Sequence, residues 1–352
     1  MRNIIRVGIV AALTLTVSAC GGGGGGGSTP AEPPPPNPLY VRTTGKDTNS
    51  GADPANALKT IGKAAQLARS GYVIFVGTGT YAEGDITNAR TGMAAPQGLS
   101  FVADASGTHT GDGAGAVTID GTGTGATAGF NLSNAMGSLI DGFTITGFSD
   151  AGIVIKSGSD DVTIQNCIVF NNPGTGDGIR IQDSASVLVF NNLVYNNGGT
   201  GITIAGQISG SPDARVLSNT IATNNVRGIV VGNTSAASPG ALVHNNIVQG
   251  NTGDANIKVF SSPRSDLGYD GNFNLVFRAT YIPNSIQGGN DVNGDAQFTS
   301  DFHLQPTSPA INNGGPLNLP NSQTTLLRAR TTTGTNLDSG AFDMGFHFLR
   351  NR

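Results

Sequence analysis

Charged residues fall at spacings that a period of about 26 residues would superimpose. Asp150 is followed six residues on by Lys156, and Asp177 three residues on by Arg180. If the chain repeats at that period, these four share one face within two adjacent coils, and Arg227 falls at the same kind of turn further along. An arginine so placed presents a planar donor fork that can grip a sugar carboxylate, with Asp150, Asp177 and Arg227 as candidate substrate-binding residues. A second cluster, Asp47-Thr48-Asn49-Ser50-Gly51-Ala52-Asp53, sets oxygen ligands at alternate positions, like the start of a calcium loop. Asp47, Asn49 and Asp53 are the candidate ligands for a cation that takes about six to eight oxygens. Asn290-Asp291-Val292-Asn293-Gly294-Asp295 is similar, and neither run leads to the glutamate of a full EF-hand loop. The four histidines are scattered without zinc spacing, and neither a Gly-x-Ser-x-Gly elbow nor a phosphate loop is present.

The period comes from asparagine. Asn166, Asn192, Asn219 and Asn246 are separated by 26, 27 and 27 residues, and Asn171, Asn197, Asn224 and Asn251 follow five residues after each. A Gly-apolar step recurs at Gly129-Phe130, Gly152-Ile153, Gly178-Ile179, Gly201-Ile202 and Gly228-Ile229. Each unit holds three short strands separated by Gly, Asn and Asp turns. Fixed self-similarity at this period means stacked units, and without a 3.6-residue pattern the units are strands. The fold class is all-β, a single parallel β-helix. Coils about 4.8 Å apart let asparagines at one corner donate to one neighbour and accept from the other, as in other stacked sheets. The eight asparagines are read as structural.

Composition agrees. Charged residues are 12% of the chain, against about a quarter in ordinary domains. The net charge of −4 gives no footprint for nucleic acid. Leu58, Ile61, Ala65 and Ala68 share a helical face, with Asp53 and Thr60 as caps and Gly71 as a stop. This helix is expected to lid the first coil and cover its open edges. Residues 99–128 and 252–290 repeat poorly and are expected to carry longer loops. Cys167, in a strand, reads as a small buried apolar residue.

The N-terminus reads as an export signal of the general secretory route: Arg2 and Arg6, then an apolar run from Val7 to Val17 too short to span a membrane. Val17-Ser18-Ala19-Cys20 resembles a bacterial lipobox, which implies cleavage before Cys20, lipidation of that thiol and a membrane anchor. Gly21 in place of Asp implies sorting to the outer membrane or cell surface. Residues 20–38, rich in Gly and Pro, form a tether that cannot build a core. The organisation expected is a lipoprotein signal peptide over 1–19, a tether over 20–38, the parallel β-helix with its N-terminal cap over 39–290 and a C-terminal cap over 291–352, as a monomer.

Tyr40-Val41, Gly45, Asp47, Asn49, Gly51, Lys59-Thr60-Ile61, Ala64-Ala65, Gly71, Val73-Ile74, Val76 and Gly79-Thr80-Tyr81 resemble the start of secreted right-handed parallel β-helix proteins of the pectate-lyase-like superfamily. Asp301-Phe302, Leu304, Ser308-Pro309-Ala310-Ile311, Gly314 and Gly340-Ala341-Phe342 resemble a closing segment of bacterial surface β-helix proteins, with Asn312 where an aspartate is usual and Asp343 where a glutamate is usual. That match implies an end cap. The superfamily's lyases abstract a proton beside a uronic carboxylate with a Lys or Arg base and calcium, so the resemblance makes Lys156 and Arg180 candidate catalytic residues and calcium a candidate cofactor. The same superfamily includes non-catalytic members, and fold does not carry function. Two functions stand: a cell-surface lipoprotein acting on acidic polysaccharide by β-elimination, or a non-catalytic surface protein for glycan or matrix binding or adhesion.

Overall fold

The computed structural model describes residues 37–89, 93–184, 186–205, 214–232, 240–253, 255–259, 269–277, 281–283, 287–317, 319–332 and 341–348. Cys20, the signal segment and most of the tether lie outside the described residues. Among those described, strands stack into three parallel sheets of nine, eight and seven strands, and successive strands of one coil belong to different sheets. One coil, for instance, contributes Leu188–Phe190 to the first sheet, Leu193–Tyr195 to the second and Ile202–Ala205 to the third. All pairings between these strands are parallel, and the alternating inward residues, such as Val189, Val194, Ile202 and Ile204, form one continuous core along the axis. The chain is the parallel β-helix that its period requires.

Two ladders of asparagine run through the interior at the two corners flanking the second sheet. Asn192 donates from Nδ2 to Asn219 Oδ1 at 3.0 Å, Asn219 to Asn246 at 3.0 Å and Asn246 to Asn274 at 3.0 Å. Each acceptor oxygen also receives the backbone N–H of the asparagine one coil before. Asp291 Oδ1 receives Asn274 N–H at 2.8 Å and closes this ladder. The second ladder is Asn172, Asn197, Asn224 and Asn251, joined at 2.7, 2.9 and 3.0 Å. The amides are buried yet saturated, which removes the desolvation cost of a polar interior.

Asn166 and Asn171 do not join the ladders, contrary to the expected spacing. Gln165 pairs with Phe190, so Asn166 aligns with Asn191 and it is Cys167 whose N–H meets Asn192 Oδ1, 25 positions away. Asn166, Asn191 and Asn245 hold left-handed backbone angles, φ 56, 54 and 59°, as do Asn171 and Asn196 at φ 50 and 53°. Corners such as Asn191-Asn192 and Asn196-Asn197 thus use two polar residues. The first bends the chain, which Asn tolerates, and the second points inward and stacks. The recurrent glycine that follows has a different cause. A Cβ on Gly178 would lie 2.3 Å from Val194 Cγ1 and 2.6 Å from Gly201 O, so only glycine lets the third sheet start this close to the second.

Helix α1 (Ile61–Leu67) packs Ile61, Ala64 and Ala65 into the N-terminal end of the core, and Leu58 pairs with Val41 beside it. The chain after Val292, expected to finish the rod as an end cap, instead folds back along its flank. Helix α2 (Asn321–Leu326) and its surroundings bring Leu317, Leu319, Leu326 and Leu327 onto Leu188, Phe190 and Leu217 of the first sheet's outer face. Phe302 lies 4.6 Å from Tyr195, which stacks on Phe170 of the second sheet. Residues 345–347 then cross three successive coils: Gly345 N–H donates to Asn245 O, Phe346 N–H to Thr220 Oγ1 and His347 N–H to Asn191 Oδ1. Two of the left-handed corner asparagines, Asn191 and Asn245, with Thr220 on the coil between them, grip this strap.

The two columns predict opposite responses to neighbouring substitutions. Asn172→Ala strands the Phe148 N–H and removes one of the two donors to Asn197 Oδ1, and is expected to cost about 1–3 kcal/mol in urea unfolding. Asn171→Gly, at an exposed left-handed corner, is expected to change stability by less than about 0.5 kcal/mol.

Candidate functional site

The candidate cluster sits where strands Ala151–Ile155 and Asp177–Gln182 enter the third sheet. Val154, Arg180, Thr203 and Val230 are in register along the outer face, as their spacing predicts, with Asn131 before them and Lys258 after. Arg180 reaches across two coils. Its Nε donates to Asp177 Oδ2 at 2.9 Å, Nη1 to Asp150 Oδ1 at 2.6 Å and Nη2 to the Asp150 carbonyl at 2.9 Å. The other oxygen of Asp177 receives Thr200 N–H at 2.8 Å. Asp150, Asp177 and Arg180 therefore meet, as a clamp that ties the coils together.

Burial alone would lower the Arg180 pKa, but the hydrogen bonds and charges of Asp150 and Asp177 outweigh it and hold the pKa above the ordinary guanidinium value. Arg180 is a fixed cation and a poor proton acceptor. Three of its five N–H donors are committed, and two flanking carboxylates offset its charge. Lys156 lies further along the same face, one position past the Ile155–Ile181 pair and therefore beside Gln182, and no bond joins its ammonium to the clamp. Arg227 precedes Gly228 two coils beyond Asp177, and its carbonyl receives Gly201 N–H at 2.8 Å. The expected turn of Asp150, Asp177 and Arg227 is thus divided: two members in the clamp, one at a separate coil.

Asp47, Asn49 and Asp53 organise the N-terminal turn. Asp47 receives Lys59 N–H at 3.0 Å, Thr60 N–H at 2.9 Å and the Thr60 hydroxyl at 2.9 Å. Asn49 donates to Ala57 O, and Asp53 caps the short turn Pro54–Asn56 through Asn56 N–H. Glu83, which is not among the candidates read from the sequence, accepts from Ile61 and Gly62 N–H at the start of α1. Its pKa is raised, because burial outweighs those two bonds. These carboxylates serve backbone donors, which is the arrangement of a capped helix start. Among the described residues no group of three or more His, Cys, Asp or Glu converges as a metal site. A cation held by Asp47, Asn49 and Asp53 would have to compete with the bonds by which Asp47 sets the start of α1.

Residues 113–267 match the family model described as Right handed beta helix region, which gives the hand of the coil. The fold is a right-handed parallel β-helix. It is similar to the pectate lyase Pel9A at 15% identity over 88% of this chain and 97% of that one, with a TM-score of 0.51, which is a likeness of fold. A rhamnogalacturonan lyase is similar at 14% identity over 81% of this chain and 96% of that one, TM-score 0.48. The periplasmic alginate epimerase AlgG is similar at 14% identity over 68% of this chain and 52% of that one, TM-score 0.33. No curated protein matches the sequence.

The clamp predicts a division between two cations of one face. Arg180→Ala leaves Asp177 charged, largely buried and short of a partner, and is expected to cost about 1–3 kcal/mol in thermal or urea unfolding. Lys156→Ala is expected to change stability by less than about 0.5 kcal/mol.

Proposed function

We propose that this protein binds polysaccharide at the cell surface along the outer face of the third sheet. The carrying observation is the register of that face: Asn131, Arg180, Thr203 and Lys258 stand in one partly exposed row, with Lys156 and Gln182 beside it. Arg180 and Thr203 stand on adjacent coils, about 4.8 Å apart, and Val154 and Val230 separate them from Asn131 and Lys258, so the row offers amide, guanidinium, hydroxyl and ammonium groups at one- and two-coil steps to an extended chain of sugar hydroxyls. The clamp supports binding over catalysis, because Arg180 is held charged between two carboxylates. The polysaccharide reading also draws on the fold shared with Pel9A, a pectate lyase. The lipobox-like Val17-Ser18-Ala19-Cys20 supports placement on the outer membrane, with Cys20 lipidated and the Gly/Pro tether holding the β-helix off the bilayer.

A second reading, β-elimination on an acidic glycan with Lys156 as base, draws on the place of Lys156 on the face that carries Arg180. Incubating the full chain with pectate, alginate and a neutral glycan, with and without calcium, separates the two. The binding reading expects retention on at least one glycan, weakened about tenfold by Thr203→Asp, and no unsaturated product absorbing in the ultraviolet; tenfold is about 1.4 kcal/mol of contact. An unsaturated product abolished by Lys156→Ala establishes the lyase instead. Absence of retention on all three glycans contradicts the proposal.

A further inference from the structure

The side chains of the third-sheet face divide into those with partners and those without. Each nitrogen of Arg180 already donates to Asp177 or Asp150. Asp177 gives one oxygen to Arg180 and the other to Thr200 N–H. Among the described residues, no hydrogen bond or ion pair engages the side chains of Asn131, Thr203, Gln182 or Lys156, and each is partly exposed. Asn131, Thr203 and Gln182 are uncharged groups that both donate and accept. A sugar hydroxyl also does both, so it can pair with any of them in either sense.

Charge divides the face in the same way. Asp150 and Asp177 flank Arg180, and together the three leave one negative charge over. The Asp150 side chain is 47% exposed, so its field reaches a ligand above the face. A sugar carboxylate set over Arg180 and Thr203 would meet a guanidinium already engaged at every nitrogen, between two fixed anions. Like charges so placed repel, and stripping water from the new carboxylate adds to the cost. Lys156 is a single cation, six residues along its strand from Asp150 and up to about 20 Å away. It can serve one carboxylate, whereas a polyuronate carries one on every sugar. A bridging cation would need open, converging oxygens, and both of those on Asp177 are spent.

We propose that the ligand of this face is an uncharged polysaccharide, and that Asp150 and Asp177 set the choice by offsetting Arg180 and turning uronates away. This rests on the glycan-binding reading above and adds the class of sugar. Asn131 stands two coils before Arg180, and Thr203 one coil after it. Gln182 lies two residues further along the strand of Arg180. An extended chain laid along the axis meets these side chains in turn. No ion pair forms with it, so salt has little to screen.

Affinity electrophoresis of the full chain in matched polymers tests the choice. One pair is methyl-esterified pectin and the same pectin after saponification. The other is glucomannan before and after oxidation of its primary hydroxyls to carboxylates. The uncharged member of at least one pair is expected to be retained, and its carboxylate partner at least about tenfold less, a gap of about 1.4 kcal/mol. Retention of the uncharged member should change less than about twofold between about 0.05 and about 0.5 M salt, over which the screening length falls about threefold. Gln182→Ala is expected to weaken it about fivefold, the worth of one hydrogen bond. Asp150→Asn keeps an acceptor for Arg180 and removes one repelling charge, and is expected to narrow the gap within a pair about threefold or more. A carboxylate member bound as tightly as its uncharged partner overturns the proposal and leaves glycan binding standing. A gap unchanged in Asp150→Asn also overturns it, because the carboxylates would not then set the choice. No retention on any polymer removes the glycan-binding reading, and the proposal with it.

Discussion

Every coil must place its corner residues directly above those of the coil before, because the interior corners hold amides rather than hydrocarbon. A ladder asparagine such as Asn219 accepts from Asn192 through backbone and side chain and donates on to Asn246. A slip of one residue would leave the buried corner amides unpaired and turn the inward valines and isoleucines out to solvent. Hydrophobic burial supplies the driving force, and the amides fix the register. The glycine after each second corner belongs to the same constraint, since it lets the third sheet start against the ladder.

The outside of the coil follows from the inside. Left-handed corners turn Asn191 and Asn245 outward, where they hold the returning C-terminal segment. That segment covers apolar outer faces of the first and second sheets and leaves Arg180, Thr203 and Lys258 of the third partly exposed, the face proposed for glycan binding. The clamp of Asp150, Asp177 and Arg180 stabilises that row at the junction of two coils. What resembles a catalytic constellation in composition is, in geometry, a cross-coil tie.

The architecture was legible because each ladder repeats one residue type, and the alignment of Val154, Arg180, Thr203 and Val230 followed from it. The ladder positions were legible only to within one residue. Polar doublets such as Asn171-Asn172, Asn191-Asn192 and Asn196-Asn197 offer two candidates per corner, and Cys167 fills a ladder position where asparagine was the signal. The return of the C-terminal segment was not legible. Its contacts, such as His347 with Asn191 across 156 positions, depend on which corner asparagines point outward. Pairing within the clamp was hidden for a related reason: period places Asp150 and Arg180 near each other, but only side-chain direction shows that they neutralise one another.

A double-mutant cycle on the first ladder tests the register most directly. Substituting Asn192 and Asn219 by Ala, singly and together, is expected to give a coupling of about 1–3 kcal/mol in equilibrium unfolding, because each amide is the other's partner. Asn166 and Asn192 should be additive within about 0.5 kcal/mol. Additivity for Asn192 with Asn219, or coupling of that size between Asn166 and Asn192, would contradict the stacking on which the fold, the strap and the binding face all rest.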